Sequence, residues 1–218
     1  MSESQAREQI VALGRSMFER ALTPGSSANM SIRIADGWII TPTNSCFGFL
    51  DAGTLSKIGT DGQLISGPKP SKEFMLHRAL YDRRPLDTAV IHLHSTYATL
   101  VSCFEGIDPE NVIEPMTPYL LMRLGRIALI PYFPPGDARL AEALASVASE
   151  HAGVLMANHG PIVSAESPEA AMFSMEELEE SAKLMVLAAG HKVRHFSAGE
   201  ISELTTRYGA RNTPQSDG

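Results

Sequence analysis

Cysteine is scarce: Cys46 and Cys103 are the only two in 218 residues. They are too few and too far apart for a disulfide framework or a four-cysteine metal site, so buried free thiols in a reducing compartment are expected. Basic clusters are missing as well. The chain carries 18 Lys and Arg against 25 Asp and Glu, a formal charge of −7. Without a basic block there is nothing to grip a nucleic-acid backbone, although a few local groups can still hold a small anion. Long apolar runs are absent too. The longest stretch free of Lys, Arg, Asp and Glu is 88–104, and it contains His92, His94, Ser95 and Ser102, a poor membrane span. The N-terminus, Met-Ser-Glu-Ser-Gln-Ala-Arg-Glu, has charges where a signal peptide needs an apolar run. The expectation is a cytoplasmic protein with neither a nucleic-acid nor a membrane partner.

What is present is ordinary for a globular chain: 44% apolar and 20% charged residues, enough to bury a core without staples. Helical and strand periods alternate. Ala6, Ile10, Leu13, Met17 and Leu22 mark a helix over 4–22 that ends before Pro24-Gly25. Asp36-Gly37 joins strands at 29–34 and 38–41, and Asp61-Gly62 joins short strands near 55–58 and 63–66, because this dipeptide tolerates the positive φ of a tight turn. Ser71 can cap a helix over 72–83, and Thr88–His94 reads as an apolar β-branched strand. A helix at 96–104, a strand at 127–132 and a helix capped by Asp137 follow. Strands at 153–156 and 162–164 flank Asn158-His159-Gly160, and Ser167-Pro168-Glu169 opens a helix to about residue 189. The expected architecture is α/β: one domain over 1–209 with helices packed on a mainly antiparallel sheet, and a frayed polar tail over 210–218.

His92-Leu93-His94 is the most informative tripeptide. In a strand the two imidazoles share a face, their Cα atoms about 6.6 Å apart, and can converge on one ion. Such a pair can also be two ordinary surface or core histidines, but burying two imidazoles in an apolar strand without partners is costly. His159, at the end of another strand, either serves a turn or supplies a third imidazole; three protein ligands and one open position suit a catalytic zinc. His77 lies four residues after Glu73 on one helix face and can support it, whereas His151, His191 and His195 sit in polar contexts that suggest solvation. Glu73 at a helix start is favoured by the dipole alone; beside a metal it can instead move a proton at a carbon next to a carbonyl. The segments 24–29, 41–44 and 71–72 each make an ordinary turn, and together they can cradle a phosphate. None matches a nucleotide fingerprint.

The ordered set Gly-Ser-Ser-Ala-Asn (25–29), Thr-Pro-Thr-Asn (41–44), Pro-Ser-Lys-Glu (70–73), His-Leu-His (92–94) and Asn-His-Gly (158–160) resembles the class II aldolase/adducin family over about residues 5–208. The openings Leu-Thr-Pro-Gly-Ser-Ser and Met-Thr-Pro-Tyr-Leu-Leu-Met-Arg are most similar to its decarboxylase branch, which acts on 3-oxo-tetronate 4-phosphate. The resemblance implies an α/β/α sandwich, Zn2+, and a homotetramer with active sites at subunit boundaries. It implies His92, His94 and His159 as metal ligands, with Glu73 as proton donor or acceptor and a fourth ligand at rest. It further implies Ala28, Asn29, Thr43, Asn44, Ser71 and Lys72 around the phosphate of a small phosphorylated sugar acid, and Tyr119 and Tyr208 as catalytic tyrosines. Ser-Ala-Asn stands where the family has Gly-Asn; a left-handed Ala28 would cost about 1 kcal/mol. The implied reaction loses CO2 from a β-keto acid through an enediolate, giving dihydroxyacetone phosphate. A sugar-phosphate aldolase of the fuculose or ribulose type is the alternative, followed by a methylthioribulose-phosphate dehydratase. A non-catalytic adducin-like module is the alternative from another class, and it has no need of three histidines and Glu73. Lys72 and Arg123 are the candidates for a substrate carboxylate.

Overall fold

A computed structural model describes residues 1–208; the expected tail at 210–218 lies outside the described residues. Eight strands form one sheet: β1 (Asn29–Ile34), β2 (Gly37–Ile40), β3 (Ser56–Gly59), β4 (Leu64–Ser66), β5 (Ala89–His92), β6 (Ala128–Ile130), β7 (Gly153–Met156) and β8 (Gly160–Ala165). Their order is β4-β3-β2-β1-β5-β8-β7-β6, and every pairing is antiparallel except β6 with β7. The antiparallel expectation therefore holds, with one parallel edge. The helices are α1 (Glu3–Glu19), α2 (Phe74–Arg83), α3 (Thr96–Val101), α4 (Pro118–Arg123), α5 (Ala138–Val147), α6 (Pro168–Leu187) and α7 (Ala198–Tyr208).

The two-residue period of the strands explains why both sheet faces are covered. Ile39, Ile91, Leu155 and Val163 enter one apolar cluster with Ile10 and Met17 of α1 and Met175 and Leu178 of α6. Their neighbours Ile40, Val90, Val154, Met156 and Ile162 enter a second with Leu76 and Leu80 of α2 and Leu144 of α5. Strands buried on both sides read as continuous apolar runs, and two helical layers follow from that.

Three local expectations are corrected. Ser71 does not cap α2: Glu73 occupies the cap position, and the Ser71 hydroxyl accepts from the Glu73 backbone N–H at 3.3 Å within the preceding turn. The sequence pattern suggested solvation for His151, yet it is buried and hydrogen-bonded through Nδ1 to the Arg126 carbonyl at 3.0 Å. The thiols are not buried as a pair, since Cys46 is half-buried and Cys103 exposed, though both are free. Helices α4 and α7 had no sequence signal strong enough to place them.

Candidate metal centre

Strand ends bring the chemistry together. His92 closes β5 directly opposite Asn29 of β1, so the two side chains stand side by side on the α2 face. His94 lies two residues past the end of β5 rather than within it, and its ring still converges: its Nε2 is 3.1 Å from His92 Nε2. His159 follows β7 in the turn to β8, which passes directly beneath Leu93. A Cβ on Gly160 (φ +153°) would sit 2.6 Å from the Leu93 carbonyl, so only glycine lets the turn approach this closely. Asn158 takes the left-handed conformation at φ 54°, tolerated because its short polar side chain suits that region.

The three rings sit almost edge to face with centroids 4.9, 4.9 and 5.0 Å apart. Their ligating nitrogens all lie within 4.8 Å of one another. His92 Nδ1–H donates to the Pro161 carbonyl at 2.8 Å, which leaves Nε2 as the lone-pair nitrogen facing the cluster. Burial keeps His92 neutral, pushing its pKa down to about 4 with help from the neighbouring imidazoles and against the pull of Glu73. Burial also lowers the pKa of His94. Neutral imidazole is the ligating form. Glu73 completes the group, Oε1 lying 3.2 Å from His159 Nε2 and Oε2 3.5 Å from His92 Nε2. Burial would raise the carboxyl pKa, but the close approach of His159 and His92 and the Asn29 amide together hold it well below the usual carboxylate range. His159 Nδ1 is buried with no hydrogen-bond partner among the described residues. Electron pairs thus converge from three rings and a carboxylate, a donor set that fits a borderline divalent cation such as zinc.

The phosphate-cradle segments also meet. Thr43 N–H donates to the Lys69 carbonyl at 3.0 Å and Ser71 N–H to the Thr41 carbonyl at 3.2 Å, pairing two segments far apart in sequence. A cleft of about 240 Å³ is lined by residues 26–29, 42–44, 71–73, His94, His159 and Pro135-Gly136. Ala28, Asn29, Thr43, Asn44, Ser71 and Lys72 therefore share one wall with the metal group. Ala28 does not adopt the left-handed conformation; Asn44 does, at φ 58°, so the extra Cβ at residue 28 carries no such strain.

Other candidates stand apart. Tyr119 on α4 and Tyr208 on α7 are 56% and 47% exposed and do not line the cleft in this chain. Arg123 lies over the Phe173 ring at 5.4 Å, away from the cleft lining, so among the described residues Lys72 is the one ammonium or guanidinium group in the cleft wall. The His77 backbone N–H donates to the Glu73 carbonyl at 3.5 Å, but its ring reaches the Glu73 carboxylate only through Asn29: His77 Nε2 is 2.5 Å from Asn29 Oδ1, and Asn29 Nδ2 donates to Glu73 Oε2 at 2.7 Å. Pro135-Gly136 was not singled out in the sequence, where Pro-Pro-Gly reads as any turn does. Nor was Glu179, whose buried carboxylate accepts from Ser95 Oγ and the Tyr97 and Ala98 backbone N–H groups just after His94.

Residues 8–186 match the family described as Class II Aldolase and Adducin N-terminal domain, and the chain belongs to that family. Within it, the chain is 48% identical over 205 residues to the 3-oxo-tetronate 4-phosphate decarboxylase of Pectobacterium atrosepticum, covering 94% of each sequence. The crystal structure of YgbL from Escherichia coli is similar at a TM-score of 0.91 and 46% identity, covering 93% of this chain and 98% of that one. Similarity continues at 33% over 181 residues to the L-fuculose phosphate aldolase of Methanocaldococcus jannaschii, covering 83% of this chain and 96% of that protein.

Proposed function

We propose that this protein is a carbon–carbon lyase, a zinc-dependent decarboxylase that converts 3-oxo-tetronate 4-phosphate to dihydroxyacetone phosphate and CO2. The observation that carries this reading is the 48% identity to a decarboxylase of that substrate along nearly the whole of both chains. The aldolase alternative rests on a relative at 33%.

The C1–C2 bond of the β-keto acid breaks, its electron pair moves towards the C3 carbonyl as an enediolate, and C2 then takes a proton. Held by His92, His94 and His159, with Glu73 as a fourth ligand at rest, zinc supplies Lewis-acid charge where negative charge develops. The chain's own residues do the rest. Asn29, Thr43, Asn44, Ser71 and Lys72, with the backbone at Ala28, hold the phosphate and fix the reacting end against the histidines. Lys72, whose ammonium lines the cleft, serves the phosphate. Among the described residues lining the cleft, Glu73 is the only carboxylic acid; it relays a proton drawn from water to C2, and Asn29 Nδ2–H holds its Oε2 in place.

Tyr119 and Tyr208 enter this account from a neighbouring subunit. Their exposure, together with that of Phe173 and Leu187 at 43% and 59%, supports a homotetramer with sites at subunit boundaries. Free thiols and the lack of any membrane-crossing helix among the described residues support work in the cytoplasm.

The test is CO2 release by the zinc-loaded protein from 3-oxo-tetronate 4-phosphate, with Glu73→Gln as the control. The expected outcome is release by wild type and a loss of about 10²–10⁴-fold in the variant. Aldehyde release from a ketose phosphate, with no CO2, overturns the decarboxylase reading.

A further inference from the structure

Behind Glu73 lies a buried polar chain that the chemistry above leaves unused. Its members Asn29, His77, Ser31 and Tyr81 are 5%, 0%, 0% and 1% exposed. Each link fixes the direction of the next. An ionised carboxylate only accepts, so Asn29 presents its NH2 group to Glu73 Oε2 at 2.7 Å. The amide oxygen then faces His77 Nε2 at 2.5 Å. That oxygen also only accepts, so the imidazole proton sits on Nε2. Burial pushes the His77 pKa down to about 3, so the ring is neutral and Nδ1 carries a lone pair. Nδ1 accepts from Ser31 Oγ–H at 2.7 Å. The Tyr81 hydroxyl closes the chain, 2.9 Å from Ser31 Oγ and 3.0 Å from the Ser31 carbonyl.

We propose that His77 is a positioning residue for Glu73: donating from Nε2, it locks the Asn29 amide with its NH2 towards the carboxylate and keeps Glu73 aimed into the cleft. Without that donor the amide is free to turn its oxygen towards another oxygen of Glu73, and the repulsion moves the acid. Register makes the chain possible. Asn29 and Ser31 are two apart on β1 and so share the α2 face, while His77 and Tyr81 are four apart on α2 and so share a helix face. The inference rests on the proposed role of Glu73.

Two measurements test it. In ¹⁵N-histidine NMR of the zinc-loaded protein near neutral pH, His77 is expected as the Nε2–H tautomer with Nδ1 unprotonated; an Nδ1–H tautomer overturns the proposal. In kinetics, His77→Phe is expected to lower kcat for CO2 release on the order of 100-fold, and Ser31→Ala about tenfold, with bound zinc unchanged and KM moving much less. A bond that merely ties α2 to β1 would lower Tm and leave kcat per folded protein unchanged, and that result overturns the proposal. If His77→Phe does not fold, Ser31→Ala decides by the same split. If the wild type releases no CO2, the substrate reading fails; the tautomer measurement then still decides the orientation of Asn29, and the same kcat split is read on aldol cleavage.

Discussion

The histidine group and the two tyrosines are built in opposite ways. His92 and His159 hang from strand ends and are 0% and 9% exposed, their rings held by close neighbours such as the Pro161 carbonyl. Tyr119 and Tyr208 ride on the surface helices α4 and α7, which pack on each other away from the cleft, and both are largely open to solvent. Ligands must be held within fractions of an ångström before an ion arrives, and the ends of interior strands do this within one chain. A group that only joins the reaction can wait on a surface for a second body to bring it to the cleft. The comparison teaches that this chain alone gathers the three histidines and the cradle segments at one cleft and leaves both tyrosines outside it.

That contrast can be broken at several points. The largest effect belongs to the histidine side: His92→Ala is expected to abolish bound zinc, read by elemental analysis, and with it CO2 release. Retained zinc and activity would mean that the triad is not the metal site. Gly160→Ala drives a Cβ to 2.6 Å from the Leu93 carbonyl and is expected to weaken zinc affinity about 10–100-fold by moving His94 relative to His92. Tyr119→Phe is expected to keep full zinc and lose about tenfold in kcat. Mixed oligomers of Tyr119→Phe and Glu73→Gln chains are then expected to recover activity, because some sites take an intact residue from each chain. No recovery would return the tyrosine to its own chain or remove it from the reaction.

Acid sensitivity follows from His77. Its pKa in the folded protein, about 3, lies below its ordinary 6.5. The neutral ring's contribution to stability is therefore complete above pH 6.5 and is lost as pH falls towards 3. The slope is up to about 1.4 kcal/mol per pH unit. Thermal melts from pH 7 down to 4.5, before most carboxylates titrate, are expected to show falling Tm; a flat profile contradicts a neutral buried ring. The smallest effect is at Ala28→Gly. Since Ala28 is buried but not left-handed, glycine there has no strain to relieve, and kcat and KM are expected to change less than about twofold.

Legibility in the sequence follows the same contrast. Strand periodicity placed the sheet, and His92-Leu93-His94 with Asn158-His159-Gly160 named the three histidines, although His94 converges from two residues past the end of β5 and not from the strand face. The cradle was readable as three turns but not as one wall, since the pairing of Thr41–Thr43 with Lys69–Ser71 depends on tertiary contact. Ser71 looked like a helix cap because hydroxyl-rich turns and caps use the same residues. His151 looked solvated because the Arg126 carbonyl that satisfies it is distant in sequence. The link from His77 to Glu73 was sensed on the helix face, but its route through Asn29 needed the register of β1 against β5. Short α4 and polar α7 gave no clear period, so the tyrosines they carry could be named only by resemblance.

The most direct measurement is to run the reaction in D2O with zinc-loaded protein and 3-oxo-tetronate 4-phosphate, following CO2 and the product by NMR. The account predicts one CO2 per dihydroxyacetone phosphate, with a single deuteron at the carbon that lost the carboxylate. An aldehyde in place of CO2, or a product without solvent deuterium at that carbon, would contradict it.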